Sequence, residues 1–339
     1  MNSVAVLYND DSMLARGEDQ DRIAFLDSRD EAECVCAALA ATGFEPVIVP
    51  SGSDPAQLAA ALAGRHPDLV FNVCESFAGN PCLEYAVAAL LELLRIPYTG
   101  SPPLALALAQ DKVRAKKILS AAHLPVPRSV IMEEPGSKIP SDLKPPFMVK
   151  PRFADASHGI SEKSFCESVS AARAQAAYLI ETYGHDALVE EFLPGREFNV
   201  SVILENELLP ISELTYNLPP GLPPIITFEA KWKETSPYYV GTPVVCPAQN
   251  VDSALEKKIG DSARGAYRAL GCRDYARIDM RLDADGNPCI IEVNPNPCIM
   301  PDAGLARSAR VAGITYNDFI ARIARAALAR GKSGELVNR

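Results

Sequence analysis

Two acids and an amide near the C-terminal end have the residue types and the spacing to do chemistry. Arg277-Ile278-Asp279-Met280-Arg281-Leu282, the turn Asp283-Ala284-Asp285-Gly286 and Pro288-Cys289-Ile290-Ile291-Glu292-Val293-Asn294 read as strand, turn and strand. Side chains alternate along a strand. Arg277, Asp279 and Arg281 therefore share one face of the first strand, and Glu292 and Asn294 one face of the second. Depending on register, the hairpin brings Asp279 close to Glu292. Facing carboxylates repel unless something positive sits between them. Two carboxylates and an amide oxygen suit Mg²⁺, with Mn²⁺ as a second candidate, bound together with substrate phosphates. The plainer alternative is a solvated hairpin with a charged outer face.

Three further segments carry candidate chemistry. Phe147-Met148-Val149-Lys150-Pro151 is a strand ending in a lysine, followed by the loop Arg152-Phe153-Ala154-Asp155-Ala156-Ser157-His158-Gly159. Such a loop can turn N–H groups toward a phosphate, with Lys150 adding a point charge. It is not the G-x-x-x-x-G-K-[ST] loop, and a surface loop after an edge strand is an equal alternative. Leu188-Val189-Glu190-Glu191-Phe192-Leu193-Pro194-Gly195-Arg196-Glu197 is an apolar run ending in acids. It can hold an adenine amino group through backbone atoms and a ribose through Glu197; a strand end with solvated acids is the alternative. Glu229-Ala230-Lys231-Trp232 contains the only tryptophan, in a Pro-rich region, where loop aromatics beside lysine line sites but lone tryptophans more often sit in cores.

The elements that must position these residues begin with a strand–helix alternation. Val4–Tyr8, Pro46–Val49, Leu69–Val73 and Ile96–Tyr98 read as four strands of a parallel sheet. The intervening helices are Ser28–Ala41, opened by a Ser28/Glu31 capping box, Pro55–Gly64, capped by Asp54, and Tyr85–Leu94. Tyr8-Asn9-Asp10-Asp11 follows the first strand where a dinucleotide site would need its glycines. Helical patterns cover Leu104–Ala109, Lys112–Ala122, Ser164–Thr182, Ser253–Leu270 and Asn317–Arg330, with strands at Ala187–Phe192 and Glu197–Leu204. The chain has 339 residues and a formal charge of −10, which disfavours nucleic acid or an anionic membrane as partner. No apolar run approaches the ~20 residues of a membrane helix. Nine scattered cysteines without a C-x-x-C pair read as reduced thiols of a cytoplasmic protein, and four separated histidines give no metal cluster.

In order and spacing these pieces resemble the ATP-grasp superfamily, and most closely its D-alanine–D-alanine ligase branch. The resemblance is carried by Ile96-Pro97-Tyr98-Thr99-Gly100-Ser101, Gln110-Asp111-Lys112, Val149-Lys150-Pro151, Glu190 through Glu197, Glu229-Ala230-Lys231, Arg277-Ile278-Asp279, Glu292-Val293-Asn294 and Arg310 through Tyr316, over about residues 70–325. It implies an α/β ATP-grasp fold: a Rossmann-like open parallel sheet over 1–100, α+β lobes over 101–189 and 190–330 enclosing ATP, and a flexible tail over 331–339. It implies ATP-dependent joining of a small, amino-acid-like carboxylate and an amine through an acyl phosphate. Lys112 and Lys150 would contact phosphates, with the loop residues Ser157, His158 and Gly159. Glu190, Glu191, Phe192, Leu193 and Glu197 would hold adenine and ribose. Lys231, Arg277 and Ser157 would assist the chemistry, Arg277 at an oxyanion. Asp279, Glu292 and Asn294 would ligate Mg²⁺. A homodimer is left open.

The departures fall on the amino-acid side. The family's Gly-Gly turn with its ammonium-binding glutamate is replaced by Asn9-Asp10-Asp11-Ser12 and an acidic insertion through Asp30. Ala156 stands for a serine, Trp232 for a tyrosine and Ala303-Gly304 for Ser-Leu, and Pro295-Asn296-Pro297-Cys298 follows the metal strand. A site that loses a hydrogen-bonding partner selects substrates differently. The expectation is therefore a ligase with altered substrates. A true D-alanine–D-alanine ligase and a nucleotide-binding protein without turnover are the alternatives.

Overall fold

The first strand decides how the N-terminal part packs. The computed structural model describes residues 2–10, 18, 28–154 and 157–333. β1 (Ser3–Tyr8) is the centre of a parallel sheet ordered β2-β1-β3, with β2 at Glu45–Pro50 and β3 at Leu69–Asn72. Val4, Ala5, Val6 and Leu7 are wholly buried because both faces are covered, as a continuous apolar run requires. Val4 and Val6 pack with α1 (Ser28–Ala41) and with the C-terminal helix Tyr316–Ser333; Ala5 and Leu7 pack with α2 (Pro55–Arg65) and α3 (Glu84–Leu93). The chain's last helix thus returns to its first sheet.

Four local expectations need correction. Ile96–Tyr98 forms only a bridge, Tyr98 to Val70. Pro97 has no N–H to donate, and the Gly100 N–H turns away to the Asp274 carboxylate at 2.8 Å. Asp274 is held in turn by Arg330 of the C-terminal helix, Nη2 to Oδ2 at 2.8 Å. The Ser28/Glu31 box is replaced by tertiary contacts: the Ser28 hydroxyl donates to the Asn9 carbonyl at 2.6 Å, and Glu31 accepts the Ile299 N–H at 2.6 Å. The helix expected from Ser164 starts later, as α6 (Val169–Tyr183), because Phe165 and Cys166 pair with the strand Phe147–Pro151 and Ser168 caps the Ala171 N–H. Residues 331–333 continue the C-terminal helix instead of starting a tail, and 334–339 lie outside the described residues. Asp54 caps α2 as expected, accepting the Ala56 N–H at 2.8 Å.

α4 (Pro103–Gln110) and α5 (Lys112–Ala121) lead to two antiparallel sheets. The first is ordered β4-β7-β5-β6: β4 is Ser129–Met132, β5 Phe147–Pro151, β6 Phe165–Cys166 and β7 Ala187–Glu191. α6 seals one face of it through Ala172, Ala176 and Leu179 against Val149 and Val189. The second sheet runs β11-β10-β8-β12-β13, with β9 (Glu207–Leu208) beside β8 (Glu197–Ile203); β10 is Ser212–Leu214, β11 Val244–Val245, β12 Tyr275–Leu282 and β13 Pro288–Asn294. Helix Ser253–Ala269 covers one face of it, packing Ile259, Ala263 and Ala266 on Phe198, Val200, Ile278, Met280 and Ile290. Strand alternation leaves Arg277, Asp279 and Arg281 on the opposite face, with Glu197 and Asn199 from β8 directly beside Arg281 and Asp279.

Candidate functional site

The hairpin register pairs Asp279 directly with Glu292, and Arg277 with Asn294. A bulge follows, since Met280 faces Ile290, so Ile291 is the extra residue on β13. Its carbonyl accepts from Lys116 at 3.2 Å and from Lys150 at 3.5 Å. The facing carboxylates are each matched by a cation. Arg277 grips Asp279 bidentately, Nε to Oδ1 at 2.7 Å and Nη2 to Oδ2 at 2.8 Å, while Lys112 reaches Glu292 at 2.5 Å. Asn199 adds an amide donor to Asp279 at 2.7 Å.

All the expected site residues except His158, Gly159 and Asn294 line one cavity of about 290 Å³. His158 and Asn294 line an adjoining cavity of about 270 Å³. Lys231, Arg277 and Glu292 belong to both and form the junction. Gly159 lines neither and acts through shape. Its φ is +71°, and a Cβ there would meet Pro151 Cγ at 2.7 Å and Tyr183 Cε2 at 2.9 Å. Ser157 beside it also has a left-handed φ, +62°. Gly159→Ala is expected to cost about 1–3 kcal/mol of stability through strain and overpacking; thermal unfolding of the variant measures it.

The Glu190 side chain is committed within the protein, which leaves only its backbone for the expected contact with adenine. Its carboxylate lies between Lys116, 2.7 Å from Oε1, and Lys150, 2.8 Å from Oε2. Burial works to raise its pKa, but Lys116 and then Lys150 hold it below the ordinary value. Glu292 behaves likewise: burial opposes, Lys112 and Lys150 prevail, and its pKa is lowered. Both carboxyls thus favour the folded chain above their unfolded value of 4.5, and that contribution is lost as pH falls through the folded values. Glu197 opposes them, because burial raises its pKa. With two groups against one, the melting temperature is expected to drop as pH is lowered below 4.5, and calorimetry over an acid series checks it. Burial, with Lys231 and Lys112 nearby, pushes His158 down to about 4, so it is neutral at pH 7.

Residues that the sequence reading passed over complete the site. Lys116 stands one helical turn after Lys112, so the spacing of four on α5 was the available signal. Asp111 caps α5 and is clamped by Arg152, Nε to Oδ1 at 2.8 Å and Nη2 to Oδ2 at 2.7 Å; Arg152 also holds Asp186 at 2.6 Å. This ties the start of α5, and so Lys112, to the chain just after Lys150. Lys231 sits on the short helix Phe228–Trp232, whose N-cap Thr227 accepts the Ala230 N–H.

Several of the departures line the adjoining cavity. Half-buried Trp232 lines it, as do Asn296 and Cys298, and Glu75 and Glu84 stand in its wall with Arg277 and Lys231. The Asn296 amide donates to Glu84 Oε1 and to the Cys74 carbonyl, each at 2.9 Å, and accepts from the Tyr275 hydroxyl at 3.1 Å. Ala303 is the N-cap of helix Gly304–Val311 and supplies no side-chain cap. Asp155, Ala156 and the segment around Asp11 and Ser12 lie outside the described residues. Among the described residues no three His, Cys, Asp or Glu side chains cluster to hold a metal; the expected set has two such residues and an amide. The chemistry of that set suits a hard divalent cation, because it offers two carboxylates paired across the ladder and an amide oxygen, with Arg277 and Lys112 now holding the carboxylates.

A family model described as the D-ala D-ala ligase C-terminus matches residues 118–325. A D-alanine–D-alanine ligase of Cereibacter sphaeroides is 35% identical over 289 residues, 84% of this chain and 86% of that protein. One from Gluconobacter oxydans is 33% identical over 303 residues, 88% of this chain and 93% of that protein. An uncharacterized protein of Sinorhizobium fredii is 34% identical over 297 residues, 85% of this chain and 84% of that protein. The crystal structure of D-alanine–D-alanine ligase from Bacillus anthracis complexed with ATP superposes with a TM-score of 0.77 at 21% identity, covering 98% of this chain and 99% of that one. This last likeness is one of fold, and it agrees with the α/β ATP-grasp architecture expected above.

Proposed function

The chain belongs to the D-alanine–D-alanine ligase family, and on that premise we propose that it joins an amino-acid-like carboxylate to an amine other than a second D-alanine. As a member it is an ATP-dependent C–N ligase. The observation that carries the reading is the pair of adjoining cavities sharing Lys231, Arg277 and Glu292, one rich in lysines and the other with acids and an arginine in its wall. ATP would occupy the first, between the lobes 101–189 and 190–330, and the carboxylate and amine the second.

A carboxylate oxygen attacks the γ-phosphorus, the bond to ADP breaks, and an acyl phosphate forms. The amine nitrogen then attacks the acyl carbon, phosphate leaves, and the nitrogen loses a proton. Lys112, Lys150 and Lys231 would neutralise phosphate charge, and Ser157 with His158 would flank it. Phe192 and Leu193, with the Glu191 backbone, would border the base. Arg277 would stabilise the tetrahedral oxyanion: Asp279 fixes its Nε and Nη2, and its Nη1 has no protein acceptor among the described residues. Asp279, Glu292 and Asn294 would hold Mg²⁺ or Mn²⁺, which when bound supplies charge neutralisation between phosphates.

Altered substrate choice is supported by Trp232, Asn296 and Cys298 in the second cavity and by the uncapped Ala303. A cytoplasmic location is supported by nine free thiols. Among the described residues no helix is long and apolar enough to cross a membrane. Phosphate release with amino acids and small amines offered in pairs tests the reading. Strong release with D-alanine alone would sink the altered choice, and release with no pair, despite ATP binding, would favour a protein without turnover.

A further inference from the structure

Arg281 follows Asp279 on the cleft face of β12 and is 5% exposed. Its Nε donates to the Gly195 carbonyl at 3.0 Å, and Nη1 donates to the Pro224 carbonyl at 2.7 Å and to Glu197 Oε2 at 3.1 Å. The guanidinium carbon lies 4.5 Å from the Phe192 ring centre and 5.2 Å from that of Tyr216. A planar cation flanked by two rings and bonded to three oxygens has little freedom left. The Tyr216 hydroxyl donates to the same Glu197 Oε2 at 2.5 Å. Both protein donors therefore converge on one oxygen. Glu197 lines the first cavity, and its Oε1 has no protein donor among the described residues.

We propose that Arg281, backed by Tyr216, is the positioning residue for the nucleoside end of the site: it ties Glu197 by one oxygen and presents the other to a ribose hydroxyl. The proposal rests on reading the first cavity as the ATP site. Neighbouring cations are committed elsewhere. Arg196 is forked onto Glu213, Nε to Oε1 at 2.7 Å and Nη2 to Oε2 at 2.6 Å, and Lys150 is held by Glu190. Burial pushes the Glu197 carboxyl toward its neutral form, and Arg281 is the foremost group that resists. A neutral side chain at 281 would leave a buried carboxyl with a phenol as its only partner and two backbone carbonyls without their donor. The ribose-facing oxygen would then lose both its orientation and its charge.

The test compares binding of ATP and 2′-deoxyATP by calorimetry, with KM and kcat from phosphate release. The wild-type chain is expected to prefer ATP by about 10- to 100-fold, the size of a hydrogen bond to a charged acceptor. Arg281→Met should bring that preference below about threefold and raise KM for ATP with kcat little changed, the pattern of lost uniform binding. Arg281→Lys, which keeps the charge but not the fork, should recover part of it. Tyr216→Phe should lose part, and it carries the test alone if Arg281→Met does not fold. An undiminished preference in Arg281→Met or Tyr216→Phe would overturn the proposal. So would equal weakening of both nucleotides without recovery by lysine, which marks a merely structural role. If the wild-type chain binds neither nucleotide, the reading of the cavity fails instead, a separate outcome.

Discussion

Glu292→Gln is expected to reduce turnover by at least about 10³-fold while leaving the chain folded. Glu292 stands at the junction of both cavities, opposite Asp279 in the ladder and 2.5 Å from Lys112. Its lowered pKa keeps it ionised at neutral pH. Glutamine has the same size and retains an oxygen that accepts from Lys112, and the change removes the repulsion across the ladder. The packing of β12 on β13 therefore survives. What disappears is one negative charge from an oxygen set proposed to hold a divalent cation beside phosphates, where charge placement supplies most of the barrier lowering. Circular dichroism should change little and the melting temperature should fall only modestly, through loss of the Lys112 ion pair, while phosphate release becomes hard to detect and the dependence on Mg²⁺ concentration moves to higher values. Wild-type-like rates at ordinary Mg²⁺ would contradict the metal assignment.

The facing of Asp279 and Glu292 was legible in the sequence because a hairpin obeys a strict period of two. Once Asp279 and Glu292 lie on paired strands, only the register is open, and the buried partners Ile278, Met280, Ile290 and Val293 fix which faces turn inward. The bulge at Ile291 was not legible, since one extra residue in an apolar run leaves no compositional mark. The same distinction holds for the lysines. Lys112 and Lys150 each stand at an element boundary with a recognisable surrounding motif. Lys116 sits in the middle of a helix, where a lysine ordinarily faces water, and only the approach of β7 and β13 turns its position into a buried one. Arg281 shared a face with Asp279 in the alternation, but its role depends on Glu197 and Tyr216, 84 and 65 residues away. The return of the last helix to the first sheet is a tertiary choice too: its apolar residues state that it must pack, not against what.

Lys116→Met is expected to weaken ATP binding by about 10- to 50-fold although Lys116 does not line the cavity. Lys112 and Lys150 in its wall and Lys116 behind them stand against Glu190 and Glu292, which leaves one positive charge in excess. That excess awaits a polyanion. Without Lys116 the remaining lysines match the two acids, and Lys150 becomes the only cation on Glu190 and is drawn away from phosphate. One charge ~7 Å from a phosphate, at an effective dielectric near 20, contributes about 2 kcal/mol, and each ~1.4 kcal/mol is a factor of ten. Methionine fills a similar unbranched space, and Glu190 keeps Lys150, so the stability loss should stay below the ~3–5 kcal/mol of a fully broken buried pair. A pH profile separates this charge from a packing role. Burial pushes Lys116 down to about 8, with Glu190 resisting, so its charge is present below that value and is lost as pH rises through it. Wild-type affinity for ATP should therefore decline above pH 8, and the decline should vanish in Lys116→Met. If the variant binds ATP as tightly as the wild type and keeps the same alkaline decline, Lys116 is only a strut beneath Glu190.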